Sequence, residues 1–297
     1  MSTQRPSALA VLRGRLFAWL QYVLPQHAIS RLVRKATRVR TPWFKNALIR
    51  GFLKLFDVDM QDAVEIDPLR YPTFNEFFTR ALRPETRPFA PDPGAIACPV
   101  DGTVSECGAI VGNSLLQAKG RYYTLNDLLA GRSWARTFEG GSFATIYLAP
   151  FNYHRIHMPL RGRVEETWYV PGRLFSVNAL TARFVPRLFA RNERIVTLFD
   201  SPAGAFALVM VGALNVGSMA TVWAGDIAPG VSSGGQPQRV TTRLPNSTLS
   251  LDKGAEMGRF NMGSTVILVF APGRVQWRAG LGNGQELRMG DTLGALH

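Results

Sequence analysis

Acidic residues are missing from the first 50 positions of this 297-residue chain. Ten of its 34 Lys and Arg lie there: Arg5, Arg13, Arg15, Arg31, Arg34, Lys35, Arg38, Arg40, Lys45 and Arg50. The rest of the chain is left with about 24 basic side chains against 21 acidic ones, so the formal charge of +13 belongs to the N-terminal segment. The body has no basic stripe with interleaved aromatics and no recognition motif, which excludes a nucleic-acid-binding body. Cysteine is scarce as well. Cys98 and Cys107 stand alone, at a spacing that fits no zinc motif, and two free thiols in a reducing compartment are expected. Long apolar runs are also lacking. The stretch LFAWLQYVL is interrupted by Gln21 and is shorter than the roughly 20 residues that span a bilayer. No small-x-small cleavage site follows it, so no export is expected.

What is present is a change of pattern along the chain. Leu12, Leu16, Leu20 and Val23 recur at helical spacing. In a second segment Ile29, Leu32, Val33 and Ala36 form one face and Arg31, Arg34, Lys35 and Arg38 another. A third helix is expected to be capped by Thr41, with Pro42 in its first turn, and to present Phe44, Leu48, Phe52 and Leu55. Arg-rich, acid-free amphipathic helices carrying Trp19, Tyr22, Trp43 and Phe44 suit an anionic membrane surface. Residues 1–56 are therefore expected to be a basic helical membrane-binding segment and 57–297 the body.

A further helix is expected from about residue 71, through Phe74, Phe77, Phe78 and Leu82, ending before Pro84. Beyond Pro93 the frequent glycines and prolines (28 and 19 in the chain) separate short strand patterns. The candidates are Phe143–Leu148, Gly162–Tyr169, Ile195–Phe199, Ala205–Val211, Gly217–Trp223 and Val266–Phe270, with loops at 229–239 and 280–284. The fold class is α+β, with N-terminal amphipathic helices followed by a β-rich catalytic body.

Four polar residues could carry chemistry. Asp101 sits in CPVDGTV, His154 and His157 in YHRIHMP, and Ser264 in MGSTVILVF, just before a clear strand. His27 and His297 lie near the ends, so the body has a single histidine pair, three residues apart. Singly, each has an ordinary explanation, since Gly-Ser and Asp-Gly are usually turns. Together, Ser, His and Asp could supply nucleophile, base and orienter. From residue chemistry alone the result is a metal- or serine-dependent, membrane-associated hydrolase, although H-E-x-x-H and G-x-S-x-G are both absent.

A succession of motifs is more specific. FNEFFTRALRPETRP, CPVDGTVSECG, YHRIHMP, YVPGRLFSVN, FARNERIV, VWAG and GRFNMGSTVILVFAPG, in that order from about residue 71 to 275, resemble the proteobacterial-type phosphatidylserine decarboxylases. The family's cleavage motif typically reads Leu-Gly-Ser-Thr; here Met262 replaces the Leu, a change small in volume and polarity.

The resemblance implies self-cleavage between Gly263 and Ser264, giving chains 1–263 and 264–297. Ser264 becomes a covalent pyruvoyl group, the only cofactor implied, and no metal is required. Asp101, His157 and Ser264 are implied as the self-cleavage triad, with Asp101 orienting the imidazole. His154 is the candidate for holding the substrate carboxylate or managing a proton. Gly263 is expected to accept strained dihedrals. The substrate implied is phosphatidylserine, decarboxylated through a Schiff base, by a protein peripheral on the cytoplasmic side of the cell membrane and compatible with a homo-oligomer.

Overall fold

The computed structural model describes residues 8–118, 120–214, 217–227, 235–240 and 249–297. Three helices come first: α1 (Ala8–Val23), α2 (Gln26–Thr37) and α3 (Pro42–Leu55). The first two turn their polar faces inward. On α1, Ala18 and Gln21 are buried, and Gly14 lies so close to Phe184 and Leu180 that a Cβ there would collide with both side chains. Gln21, which breaks the apolar run in the sequence, accepts the Ser176 amide at 2.8 Å, and Gln26 accepts that of Leu174 at 2.8 Å. A buried amide needs an acceptor, so these glutamines dock the helices on the body. Leu16, Trp19, Leu20 and Val23, spaced at i, i+3, i+4 and i+7, face outward.

On α2 the buried side is Ser30 and Thr37, and Leu32 is exposed. Two arginines of its basic face turn to the body, where Arg34 and Arg38 pair with Asp226 at 2.9 and 3.0 Å. α3 buries Ile49 and exposes Trp43 and Leu55. Thr41 precedes it, yet its side chain makes no capping hydrogen bond; Pro42 alone marks the start.

The helix expected from residue 71 is shorter, α4 (Phe74–Phe78), and Thr73 caps it by accepting the Glu76 amide at 3.0 Å. It ends early because Leu82 pairs with Ala63 as an extended bridge instead of continuing the helix. Phe74, Phe77 and Phe78 pack with Ile49 into a small aromatic cluster, and Phe52 and Met262 lie against it.

The body is β-rich, as the sequence pattern requires. Its strands include β1 (Gly102–Ala109), β2 (Ser142–Tyr147), β3 (Arg155–His157), β4 (Gly162–Val170), β5 (Arg194–Asp200) and β6 (Phe206–Val211). β7 (Met219–Thr221), β8 (Gly225–Ile227), β9 (Glu256–Phe260) and β10 (Thr265–Phe270) follow. The pattern over 217–223 yields only β7, because residues 222–224 form a turn. The loop expected at 229–239 lies outside the described residues as far as 234, and its end forms the strand Gln238–Arg239; 280–284 is irregular, as expected.

A nine-stranded antiparallel sheet runs Gln238–Arg239, β4, β5, β6, β10, β2, β1, Glu286–Leu287, with Ser250–Leu251 also on β4. β6 and β10 are buried at every residue, so their apolar runs do not alternate; both faces are covered and they form the centre of the core. A four-stranded sheet, β8-β7-β9-β3, packs beside it. The chain crosses from the small sheet to the centre of the large one between β9 and β10, and this crossing carries Gly263 and Ser264. Both cysteines are free. Among the described residues no helix is long and apolar enough to cross a membrane.

Candidate active site

The crossing is pinned at both ends. At its start the Asn261 amide donates to the Ser218 carbonyl at 3.0 Å, and its side chain donates to Ser218 Oγ at 2.7 Å. At its end the Ser264 carbonyl accepts the Leu148 amide at 2.8 Å. Ser264 is fully buried, yet its Oγ has no hydrogen-bond partner among the described residues. An unpaired buried hydroxyl costs stability and persists where it has a chemical use. The φ of Gly263 does not lie in the left-handed region. Its lack of a side chain gives room instead: a Cβ there would stand 3.3 Å from His154 Nε2 and 3.3 Å from the Leu148 carbonyl.

His154 is fully buried, with its ring centroid 4.2 Å from that of Phe78. Its Nδ1 donates to the Asn152 carbonyl at 2.8 Å. A carbonyl can only accept, so the proton sits on Nδ1 and the Nε2 lone pair, which has no protein partner, lies beside Gly263. Burial, aided by the charge of Arg80, pushes the His154 pKa down to about 3 against the opposing Asn152 hydrogen bond, so the ring is neutral near pH 7.

His157 is also held as the Nδ1–H tautomer, donating to the Gly254 carbonyl at 2.7 Å. Its Nε2 accepts from the Tyr153 hydroxyl at 2.9 Å. Burial lowers its pKa too, while Gly254, Glu256 and the more distant charge of Asp101 act in the opposite direction.

Asp101 lies on the neighbouring segment, where the Pro99 carbonyl accepts the His157 amide at 2.9 Å. The expected hydrogen bond from the His157 ring to Asp101 is not formed. Both carboxylate oxygens are occupied: Oδ1 accepts from Arg87 Nε at 3.0 Å and the Met289 amide at 2.7 Å, and Oδ2 from Arg87 Nη2 at 2.6 Å. Arg87 also pairs with Asp62 at 2.6 Å. The structure thus brings His154 to Gly263 and the Asp101 strand to His157, whereas the orienter of His157 is the Gly254 carbonyl. After Asp101 comes Gly102, where a Cβ would strike the Tyr147 carbonyl, so a glycine is needed for β1 to close on β2.

A family model described as phosphatidylserine decarboxylase matches residues 74–295, which include Asp101, His154, His157, Gly263 and Ser264. This chain belongs to the phosphatidylserine decarboxylase family. A second model, described as PSD, matches residues 16–57. The phosphatidylserine decarboxylase proenzyme of Methylococcus capsulatus is 50% identical over 291 residues, covering 97% of this chain and 99% of the relative. That of Alkalilimnicola ehrlichii is 51% identical over 280 residues (93% and 96%), and that of Azotobacter vinelandii 49% identical over 288 residues (95% and 99%).

Within this family's motif, Met262 packs against the aromatic cluster of α3 and α4, so the apolar volume that a Leu would supply is present. The partnerless Ser264 hydroxyl, joined directly to a residue that leaves space for an imidazole lone pair, fits a site in which a serine is converted in place. Sequence reasoning missed Arg87, Tyr153, Gly254 and Asn261. Tyr153 stands inside the motif YHRIHMP and could have been noticed there. Gly254 acts through its backbone, which leaves no side-chain signal.

Proposed function

We propose that this chain decarboxylates phosphatidylserine to phosphatidylethanolamine and carbon dioxide, using a pyruvoyl group made from its own Ser264. The observation that carries this reading is the buried, partnerless Ser264 hydroxyl beside Gly263 and the His154 lone pair. Once formed, the group supplies a ketone that engages the substrate amine and accepts the electrons carbon dioxide leaves behind.

The chain's own residues prepare it. Ser264 Oγ adds to the Gly263 carbonyl carbon through a five-membered ring, with the nucleophile already attached to its target. The Gly263–Ser264 C–N bond breaks as the nitrogen takes a proton, leaving an ester. Loss of the Ser264 Cα proton expels the Gly263 carboxylate, and the dehydroalanine left behind takes up water and releases ammonia, which leaves the ketone. Chains 1–263 and 264–297 result. His157 accepts the hydroxyl proton once the Tyr153 hydroxyl gives up its Nε2; burial lowers the His157 pKa, and the field of Asp101, which favours the charged imidazole, supports that role. His154 handles a proton during decarboxylation. A ring with a pKa of about 3 has no charge with which to hold a carboxylate, but its lone pair is free beside residue 263.

Purified protein should run as two chains on a denaturing gel, the smaller one blocked to Edman sequencing, and should release carbon dioxide from phosphatidylserine. A single intact band in an active preparation would sink the self-derived cofactor.

The outward stripe of α1, with Leu32 of α2 and Trp43 and Leu55 of α3, supports peripheral attachment of residues 1–56 to an anionic membrane surface, on the cytoplasmic side of the cell membrane. The exposed cations Arg31 and Lys35 remain to meet anionic headgroups, whereas Arg34 and Arg38 are engaged by Asp226. Removing residues 1–40 should reduce co-sedimentation with anionic vesicles at low salt. Sedimentation unchanged by the deletion would place attachment elsewhere.

A further inference from the structure

Arg80 is a buried cation with unused donors. Its side chain is 5% exposed, its Nε has no protein acceptor, and its one hydrogen bond, from Nη2 to the Phe151 carbonyl, is long at 3.3 Å. A guanidinium carries five N–H donors, so most of its capacity is free. The arginines around it are committed: Arg87 to Asp101 and Asp62, and Arg155 and Arg259 to Glu256. The carboxylates that act on Arg80, Asp101 and Asp59, do so from a distance. Asp101 is held by Arg87 and the Met289 amide, and Asp59 accepts the Gln61 amide.

Its position is equally specific. Arg80 is two residues after Phe78, whose ring packs at a tilt against His154, and it bonds to Phe151, in the segment that turns into the two histidines. It lines a cavity of about 450 Å³ together with Asp101, Asn152 and Tyr153, and also a second cavity of about 360 Å³. Asp57, Asp59 and Asp291 line the larger cavity as well. The unpartnered guanidinium suits a ligand's anion.

We propose that Arg80 receives the phosphodiester of the lipid headgroup, a role that rests on the phosphatidylserine decarboxylase reading. The headgroup offers two anions, and chemistry separates them. A guanidinium on the departing carboxylate would stabilise the ground state against decarboxylation, whereas the phosphodiester keeps its charge throughout. In the headgroup only a carbon and an ester oxygen separate the serine Cα from phosphorus, so an amine at residue 264 leaves the phosphate a short reach away, and Arg80 lies close enough to His154, beside residue 263, for its charge to act on that ring.

The experiment compares wild type, Arg80→Met and Arg80→Lys in phosphatidylserine mixed micelles. Both variants should still cut themselves into two chains. In Arg80→Met the KM should rise by about ten- to a hundred-fold, the loss expected for a charge-assisted hydrogen bond, while kcat changes little. Arg80→Lys should recover part of the loss. Phosphatidylethanolamine, which has the phosphodiester but no carboxylate, should become a weaker competitive inhibitor by a similar factor. The melting temperature of Arg80→Met should be no lower than that of wild type, since an unpaired buried charge has been removed. An unchanged KM, a raised KM with unchanged inhibition by phosphatidylethanolamine, a melting temperature lowered by several degrees, or a failure of Arg80→Lys to cut itself would each overturn the assignment. A wild-type chain that stays uncut or releases no carbon dioxide would instead refute the underlying activity.

Discussion

Ser264→Ala will remain a single chain and will release no carbon dioxide from phosphatidylserine, and it will fold as well as the wild type. The two halves of this result have separate causes. On the proposed reading, activity disappears because the hydroxyl is both the nucleophile that opens the Gly263–Ser264 bond and the precursor of the ketone, and alanine can be neither. Stability survives because Oγ makes no hydrogen bond within the protein, so its removal strands no partner. The Ser264 carbonyl still accepts the Leu148 amide, and β10 still enters the sheet in register. Gel electrophoresis, a carbon dioxide release assay and a thermal melt check all three points. Wild-type activity in the variant would show that the cofactor has another origin.

The two histidine variants should fail at different stages. His157→Ala should stay uncut and therefore inactive, whereas His154→Ala should cut itself and then decarboxylate about 10²- to 10⁴-fold more slowly, the usual worth of a positioned acid–base group. His157 lies next to the Asp101 segment and feels its charge, which favours the imidazolium formed when the serine proton is taken. His154 has no such support, and burial keeps its pKa at about 3. Its folded value lies below the ordinary 6.5 of histidine, so the native ring stays neutral from neutrality down to about pH 3. The decarboxylation rate of the cut enzyme should accordingly show no acidic limb near pH 6.5 that His154→Ala abolishes. A cut His157→Ala together with an uncut His154→Ala would exchange the two assignments.

The strand patterns over 143–148, 162–169, 195–199, 205–211 and 266–270 each correspond to a strand, because a strand covered by neighbours needs an apolar, β-branched sequence whichever neighbours it meets. Helical periodicity likewise placed α1, α2 and α3. Which face turns inward was not readable. Gln21 interrupts an apolar run in the sequence, yet it is a docking residue, since it accepts the half-buried Ser176 amide. The helix around Phe74 was overextended because Leu82 keeps the helical spacing while its backbone pairs with Ala63.

At the site, the motifs pointed to Asp101, His154, His157 and Ser264, because the proposed self-cleavage and decarboxylation need those side-chain types and the family resemblance fixes their order. The sequence by itself thus determined the α+β class, those five strands and the residues able to do chemistry. Only the tertiary structure decided how those residues are wired. It gave Asp101 to Arg87, the His157 ring to Gly254 and Tyr153, and the His154 lone pair to Gly263, and it left Arg80 without a carboxylate. The physical reason is that hydrogen bonds and pKa shifts depend on distance and burial between segments far apart in the chain. Periodicity and composition carry no record of either.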